Sequence, residues 1–284
     1  MLRYFKNILI PVDLSINTEV AIKKAIDLAD EGTYLHLLHV QSYGLTAMAQ
    51  RFLIKSNAVG NREIITQKID QWKTSIEECT EGITVHTWIS IRDSVQKAIE
   101  EKAREIDADL VVIAKNSHHS WLPFLNTVLP NRLATTTGAA VLTVKTGAIY
   151  SKIKTVIVPI TNRTAKHKME AISVICKKFR VKIYLVTFMN EEPEVDDHNA
   201  SALLQVYQWL KTSIHCPVEY AVLQGHNKAK AILAYAEKIN ADILLVHPET
   251  ETKIGWLNKQ ISDVLPPASK MQVLAIQPAN TLTT

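Results

Sequence analysis

A single carboxylate, Asp13, stands between a short apolar run and a polar turn. The run from Asn7 to Val12 is typical of a buried parallel strand, and a helical pattern begins near Glu19. Open α/β sheets bind ligands where a strand ends and the next helix begins. Asp13 therefore has two interpretations: it bonds an adenine or a ribose, or it caps the turn into the helix.

The other reactive side chains form no catalytic set. The sequence has no G-x-S-x-G motif and no Walker-type glycine run, so it favours a binding role over an enzyme. His118 and His119 are adjacent and therefore diverge, and no third residue has metal-ligand spacing. The acidic segment 191–197 lacks the glycine turn of a calcium loop. We interpret both segments as solvated loops, without a metal.

Three scattered cysteines, Cys79, Cys176 and Cys216, form no CxxC motif. Such a sparse, odd set favours reduced thiols in a cytoplasmic protein over a disulfide framework. Cys176 falls within a predicted helix, and we expect it to be an inert core residue.

Length and composition indicate a globular chain of two domains. The chain has 284 residues, of which 47% are hydrophobic and 21% charged, so each half can bury its own core. The net charge of +4 is small and spread along the chain, which argues against nucleic acid as a partner. We also expect no secretory signal and no membrane span, since no apolar run approaches about 18 residues.

An internal repeat decides the predicted architecture. Residues 7–13 match residues 155–161 in type at an offset of 148, with Thr161 in place of Asp13. Residues 108–112 match residues 241–245 at an offset of 133, so the second copy is shorter. We predict one domain over residues 1–147 and a second, degenerate one over residues 152–284.

Strand-like and helix-like segments alternate in both copies. The predicted strands are 7–13, 33–40, 83–91, 109–114 and 139–145, then 155–160, 181–189, 218–223, 242–247 and 272–277. The predicted helices are 18–30, 62–79 and 95–106, with Asp93 or Ser94 as cap, then 165–179, 201–214 and 228–239. This order predicts α/β domains, each a doubly wound five-stranded parallel sheet.

Four motifs, at residues 8–13, 37–40, 108–113 and 140–144, occur in order and partly recur in the second copy. With these motifs the chain resembles the universal stress proteins in their tandem two-domain form. The resemblance implies a sheet order of 3-2-1-4-5, as in adenine nucleotide alpha hydrolase-like folds. It also implies that the two domains pair through their last strands, and it allows a homodimer.

Many members of that family bind ATP, so the resemblance also implies a nucleotide site in the first domain. Its adenosine side would comprise Pro11, Val12, Asp13 and Val40, and its phosphate side Ala114, Lys115, Ser117, Asn126 and Thr127. The glycines of the family's phosphate loop are missing, because Ala114 and Ser117 stand in their places and no glycine occurs between residues 83 and 137. A phosphate cradle needs inward N–H groups without a crowding Cβ. We therefore expect ATP in the first domain only, bound weakly or not at all.

The second domain departs further from the ATP-binding pattern. Pro248 removes a backbone N–H, and Glu249 and Glu251 would repel an anion where phosphate would sit. Prolines 130 and 266 are expected to stop or kink the fourth helices. Trp121 and Trp256 occupy corresponding loop positions, either as core packing or as exposed anchors for a protein partner.

The sequence therefore favours a non-enzymatic stress-response protein with a degenerate nucleotide site. Two alternatives remain: an ATP-binding stress protein with slow hydrolysis, and a scaffold that docks a protein at the two tryptophan loops.

Overall fold

The computed structural model describes residues 5–41, 58–115, 128–160, 166–188, 193–225, 227–254 and 259–277. The elements of the first half are β1 (Asn7–Val12), α1 (Ile16–Leu28), β2 (Tyr34–Gln41), α2 (Ala58–Cys79), β3 (Thr84–Ile91), α3 (Val95–Glu105), β4 (Leu110–Ala114), α4 (Pro130–Thr137) and β5 (Ala140–Val144). A short 3₁₀ turn over Thr146–Ala148 leads out of this half.

The second half repeats the alternation of strands and helices. Its elements are β6 (Thr155–Pro159), α5 (Lys166–Lys178), β7 (Lys182–Phe188), α6 (Pro193–Trp209), a π-helical turn (Leu210–Ile214), β8 (Val218–Leu223), α7 (Lys228–Lys238), β9 (Ile243–Val246), β10 (Lys253–Ile254), β11 (Lys259–Gln260), α8 (Ile261–Val264) and β12 (Gln272–Ala275). Strands β10 and β11 form a small antiparallel ribbon.

The larger strands form one ten-stranded sheet in the order β3-β2-β1-β4-β5-β12-β9-β6-β7-β8. Strands within each half are parallel, and each half has the predicted order 3-2-1-4-5, so the fold class is confirmed. Strands β5 and β12 pair antiparallel, with Val273 opposite Thr143. The two halves thus join through their last strands, as the resemblance implies.

The apolar core is divided by sheet face and not by half. Ile8 and Ile10 belong to the cluster on one face, while Leu9 between them belongs to the cluster on the other, as the two-residue period of a strand requires. Both clusters include residues of both halves. The expectation of a separate core in each half was therefore wrong, because the β5–β12 pair makes the sheet continuous. The boundaries 1–147 and 152–284 stay a prediction.

Two carboxylates hold the beginnings of the first strands of the two halves. Asp109 Oδ2 accepts hydrogen bonds from the backbone N–H groups of Lys6 and Asn7, each at 2.9 Å. Asp242 Oδ2 accepts from the N–H groups of Lys154 and Thr155 at 2.9 and 3.0 Å. The repeated Ala-Asp motif therefore has a structural role. It lies at the edge of the sheet where the strands begin, opposite the edge formed by their carboxyl ends.

Two local predictions need correction, and one open alternative is decided. Pro130 does not stop or kink the fourth helix of the first half but begins it, because a first helical residue needs no N–H partner. The segment 191–197 is not wholly a loop, since α6 begins at Pro193. Of the two capping candidates, Ser94 accepts from the N–H of Lys97 and forms the cap of α3.

No helix within the described residues is long and apolar enough to cross a membrane.

Candidate functional site

The turn after β1 is organised around one carboxylate oxygen of Asp13. Asp13 Oδ1 accepts from the N–H of Ser15 at 3.1 Å, from Ser15 Oγ at 2.6 Å and from Thr18 Oγ1 at 3.0 Å. Ser15 Oγ in turn caps α1 by accepting from the N–H of Asn17 at 3.2 Å. The capping interpretation of Asp13 therefore describes how this oxygen is used. No described residue donates to Asp13 Oδ2, and its use by an adenine or a ribose stays a prediction.

The other adenosine-side residues lie at the carboxyl ends of neighbouring strands. Pro11 and Val12 of β1 are opposite Leu38 and His39 of β2, and Val40 follows in the same strand. The ring of His39 is buried and its Nδ1 lies 2.9 Å from the carbonyl oxygen of Val12. Since a carbonyl only accepts, Nδ1 donates in this contact, and burial lowers the pKa of His39 below its ordinary value. The structure therefore brings Pro11, Val12, Asp13 and Val40 together at one edge of the sheet.

On the phosphate side, Lys115 is paired with an acid of the other half. Ala114 is the buried last residue of β4, and Lys115 follows it. Lys115 is itself buried, and its Nζ lies 2.7 Å from Oδ1 of Asp263 in α8. Its charge, expected to serve a phosphate, is thus already balanced inside the molecule. Ser117, Asn126 and Thr127 lie outside the described residues, as do the candidates at 118, 119, 121, 161 and 256.

A second buried cation, Lys145, lies beside this pair. Lys145 follows β5, and only 1% of it is exposed. Its Nζ has no hydrogen-bond partner among the described residues. Burial, and then the charge of Lys115, lowers the pKa of Lys145 to about 8. The seam between the halves therefore holds two ammonium groups near one carboxylate, Asp263.

In the second half, a buried ion pair fills the crevice at the carboxyl ends of β6 and β9. This crevice corresponds to the one beside Asp13 in the first half. Lys168 Nζ lies 2.7 and 3.0 Å from the two carboxylate oxygens of Glu251, and donates to the carbonyl of Pro159 at 2.9 Å. The N–H of His247 donates to Glu251 Oε2 at 2.7 Å. Pro159 ends β6 and His247 follows β9, and these strands are neighbours. Only 5% of the Lys168 side chain and 2% of the Glu251 side chain are exposed.

Glu251 thus occupies the place where a phosphate would bind. The sequence indicated only that its negative charge would repel a phosphate there. Its carboxylate accepts a main-chain N–H after the fourth strand, as a bound anion would. Lys168 was missed by the sequence reasoning. The one signal in the sequence is a lysine near the start of the helix that follows the repeated strand.

The strand-end site, the repeated motifs and the sheet order agree with a comparison to known families. The profile described as the universal stress protein family matches residues 4–145, which is half of the chain. The chain belongs to the universal stress protein family. The match covers β1 to β5, and the relation of the second half to this universal stress protein domain rests on the sequence repeat and the shared sheet order.

Solved structures have the same tandem fold as this universal stress protein. A universal stress protein from Archaeoglobus fulgidus DSM 4304 superposes with a TM-score of 0.65 and 14% identity, over 98% of each chain. A functionally unknown protein from Pseudomonas aeruginosa PAO1 superposes with a TM-score of 0.58 and 13% identity, over 96% of this chain and 93% of its own. At these identities the likeness concerns the fold. No curated protein sequence matches the chain.

Proposed function

We propose that this universal stress protein is a non-catalytic, cytoplasmic regulator of the stress response. In this proposal the first half binds adenine nucleotide weakly or not at all, and the second half is structural. One observation carries the proposal: the crevice of the second half already contains the buried Lys168–Glu251 pair. A triphosphate there would have to displace Glu251 from Lys168 and from the N–H of His247. Separating a buried ion pair costs about 3 to 5 kcal/mol, which the nucleotide would have to repay.

The features of the first half support weak binding rather than tight binding. Oδ1 of Asp13 is used by the turn into α1, which leaves one carboxylate oxygen for a ligand. Lys115 would have to leave Asp263 to meet a phosphate. The absence of glycine from residue 83 to residue 137 removes the residues that let phosphate oxygens approach the main chain.

Slow ATP hydrolysis finds less support. It would require a metal or a base near the phosphates, and the sequence has no catalytic motif that supplies one. Docking of a protein partner at Trp121 and Trp256 stays a prediction, to be tested by comparing pull-downs of the wild type with the Trp121→Ala and Trp256→Ala variants.

Isothermal titration with ATP and Mg²⁺ tests the nucleotide proposal. We expect a Kd of about 1 mM or weaker for the wild-type protein, corresponding to about −4 kcal/mol. Any binding heat should disappear in Asp13→Ala and persist in Thr161→Ala, the substitution at the matching position of the second half. Unfolding curves of both variants establish that they are folded.

Two results would refute the proposed function. Micromolar affinity in the wild type would show that the loop after β4 binds phosphates without glycine. Binding that is lost in Thr161→Ala but kept in Asp13→Ala would assign the nucleotide to the second half. Phosphate release above that of the Asp13→Ala variant would support the hydrolase alternative.

A further inference from the structure

The ten-stranded sheet has two edge strands, β3 and β8, because β5 and β12 pair with each other inside the chain. The two edges differ in charge. Strand β3 has the sequence TVHTWISI, which is eight residues without Asp, Glu, Lys or Arg. Strand β8 carries Glu219, which forms an ion pair with Lys182 of the neighbouring strand. Proteins commonly protect an edge with charges, prolines or bulges, so β3 is the edge that is more open to another strand.

Alternate residues of β3 direct their backbone groups away from the sheet. The N–H of Thr84 donates to the carbonyl of Thr33 at 3.1 Å, on the β2 side. The N–H of Arg92 donates to the carbonyl of Gln41 at 3.1 Å, on the same side. Because a strand has a two-residue period, the even-numbered residues bond to β2 and the odd-numbered ones face outward. The outward backbone groups are those of Val85, Thr87, Ile89 and Ile91.

Charged side chains cap the two ends of this outward row. Glu77 Oε1, from α2, accepts from the N–H of Val85 at 3.2 Å, and Arg92 Nη1 donates to the carbonyl of Ile91 at 3.2 Å. Arg92 also pairs with Glu101, but both side chains are more than half exposed, so Arg92 can change its partner at little cost. Among the described residues, none bonds to the outward groups between these two ends. The edge therefore has an acidic end, an open centre and a basic end.

We propose that β3 is the dimerisation surface of this protein, where the β3 strands of two copies pair antiparallel about a two-fold axis. The axis passes beside Trp88, so that Val85 lies opposite the partner's Ile91 and Thr87 lies opposite the partner's Ile89. Each of these opposed pairs exchanges two backbone hydrogen bonds, which gives the open groups of the edge their partners. The same patch is used on both copies, so the assembly closes as a dimer.

Charge favours a second copy in this register. Glu77 caps one end of the edge and Arg92 caps the other. In the register centred on Trp88, the acidic end of each copy meets the basic end of its partner, so Glu77 faces the partner's Arg92 on both sides of the axis. A shift of the register by two residues would move these charges apart by about 7 Å.

Trp88 adds an apolar contact at the centre of the same register. Its side chain is 36% exposed. On the axis it lies opposite the partner's Trp88 in a non-hydrogen-bonded pair, where side chains come closest. Aromatic pairs across strands stabilise a sheet. The two ion pairs and the aromatic pair together identify a second copy of the chain as the occupant of this edge.

Sedimentation velocity of the full-length protein over a range of concentrations tests the proposal. We expect a monomer–dimer equilibrium with a Kd of about 1 to 100 μM, because an interface formed by one pair of strands is small. Ile89→Pro removes an outward N–H that the sheet does not use, so it should weaken the dimer by about tenfold or more.

Val222→Pro on the other edge is the matched control. The N–H of Ile183 donates to the carbonyl of Pro217, so the even-numbered residues of β8 face outward. Val222 is one of them, and its replacement by proline should leave the dimer unchanged.

Charge reversal tests the register. Glu77→Lys places two cations at each end of the interface, and Arg92→Glu places two anions there. Each variant alone should dimerise about tenfold more weakly than the wild type. An equimolar mixture of the two should dimerise like the wild type, because each end of the mixed dimer then has one cation and one anion. Recovery in the mixture also shows that both variants are folded.

Three results would overturn the proposal. A wild-type protein that stays monomeric at about 1 mM would leave this edge to an extended peptide of another protein. A dimer that Ile89→Pro weakens no more than Val222→Pro does would be formed by another surface. A mixture of the charge variants that stays as weak as each variant alone would show that Glu77 does not meet the partner's Arg92.

Discussion

Among the described residues, four buried lysines differ in what their ammonium groups meet. Lys168 and Lys115 each have a carboxylate partner, and Lys24 donates to Asp27 and to the carbonyl of Ser151. Lys145 has no acceptor among the described residues. An unpaired buried charge destabilises a protein, whereas a paired one is close to neutral, so these side chains should respond oppositely to removal of the charge.

At the residue scale, we predict that Lys145→Met stabilises the protein by about 1 to 3 kcal/mol at pH 7, because methionine fills a similar volume without an ammonium group. The gain should depend on pH. The folded pKa of Lys145 is about 8, and the ordinary value is 10.5. Between these values the unfolded chain binds more protons than the folded one, so wild-type stability rises with pH. The advantage of the variant should therefore be full below pH 8 and shrink towards pH 10.5.

Denaturant unfolding of wild type and variant from pH 7 to pH 10 measures this difference. Lys24→Met is the matched control, because it removes a buried lysine that has two acceptors, and it should destabilise the protein. Equal destabilisation by both substitutions at pH 7 would contradict the assignment of Lys145 as an unpaired charge.

At the scale of elements, Asp109 and Asp242 hold the starts of the first strands in register with β4 and β9. Two positions before each aspartate, just after the preceding helix, a residue has a left-handed backbone. These residues are Asp107, with φ 49°, and Asn240, with φ 52°. Aspartate and asparagine adopt this conformation more readily than other side chains. The same helix ending and the same carboxylate contact thus recur in both halves.

We predict that Asp109→Ala destabilises the protein by about 2 to 4 kcal/mol, because two backbone N–H groups lose a charged acceptor. Asp109→Asn keeps one acceptor oxygen and should cost about half as much. Denaturant unfolding measures both, and hydrogen exchange at Lys6 and Asn7 should become faster. Unchanged exchange at these two amides in Asp109→Ala would mean that the carboxylate does not hold the strand.

At the scale of the whole molecule, the β5–β12 pair and the turn beside it make the halves one unit. The N–H of Gly147 and Oγ1 of Thr146 both donate to the carbonyl of Pro267 at 2.9 Å. A Cβ on Gly147 would lie 2.0 Å from the carbonyl oxygen of Ala268. Glycine is needed here because two backbones approach closely, and not because of a left-handed φ.

We predict that Gly147→Ala costs about 2 to 4 kcal/mol of unfolding free energy, because backbone must move at the junction. Gly138→Ala is the control: Gly138 has φ 74° and nothing within 4 Å of its missing Cβ, so only about 1 kcal/mol of backbone strain is expected. Unfolding curves should rank the two in that order. A smaller effect at position 147 than at position 138 would show that the junction can shift to admit a side chain.

The amino-acid sequence by itself determined the alternation of strands and helices, the repeat and the family, because these depend on residue spacing within short segments. The resemblance to the family implied that Pro11, Val12, Asp13 and Val40 form the adenosine side of a site; these residues lie at the carboxyl ends of β1 and β2, and their use by a nucleotide stays a prediction. Sequence patterns did not show that Pro130 begins a helix, because proline occurs both at the first position of helices and where helices end.

Only the tertiary structure decided which charges meet. Lys115 reaches Asp263 across 148 positions, and Lys168 reaches Glu251 across 83. No local period encodes such pairs, because they form only when separate crossovers and the β5–β12 seam bring distant segments together. The same seam merges the buried residues of both halves into two continuous layers, one on each face of the sheet.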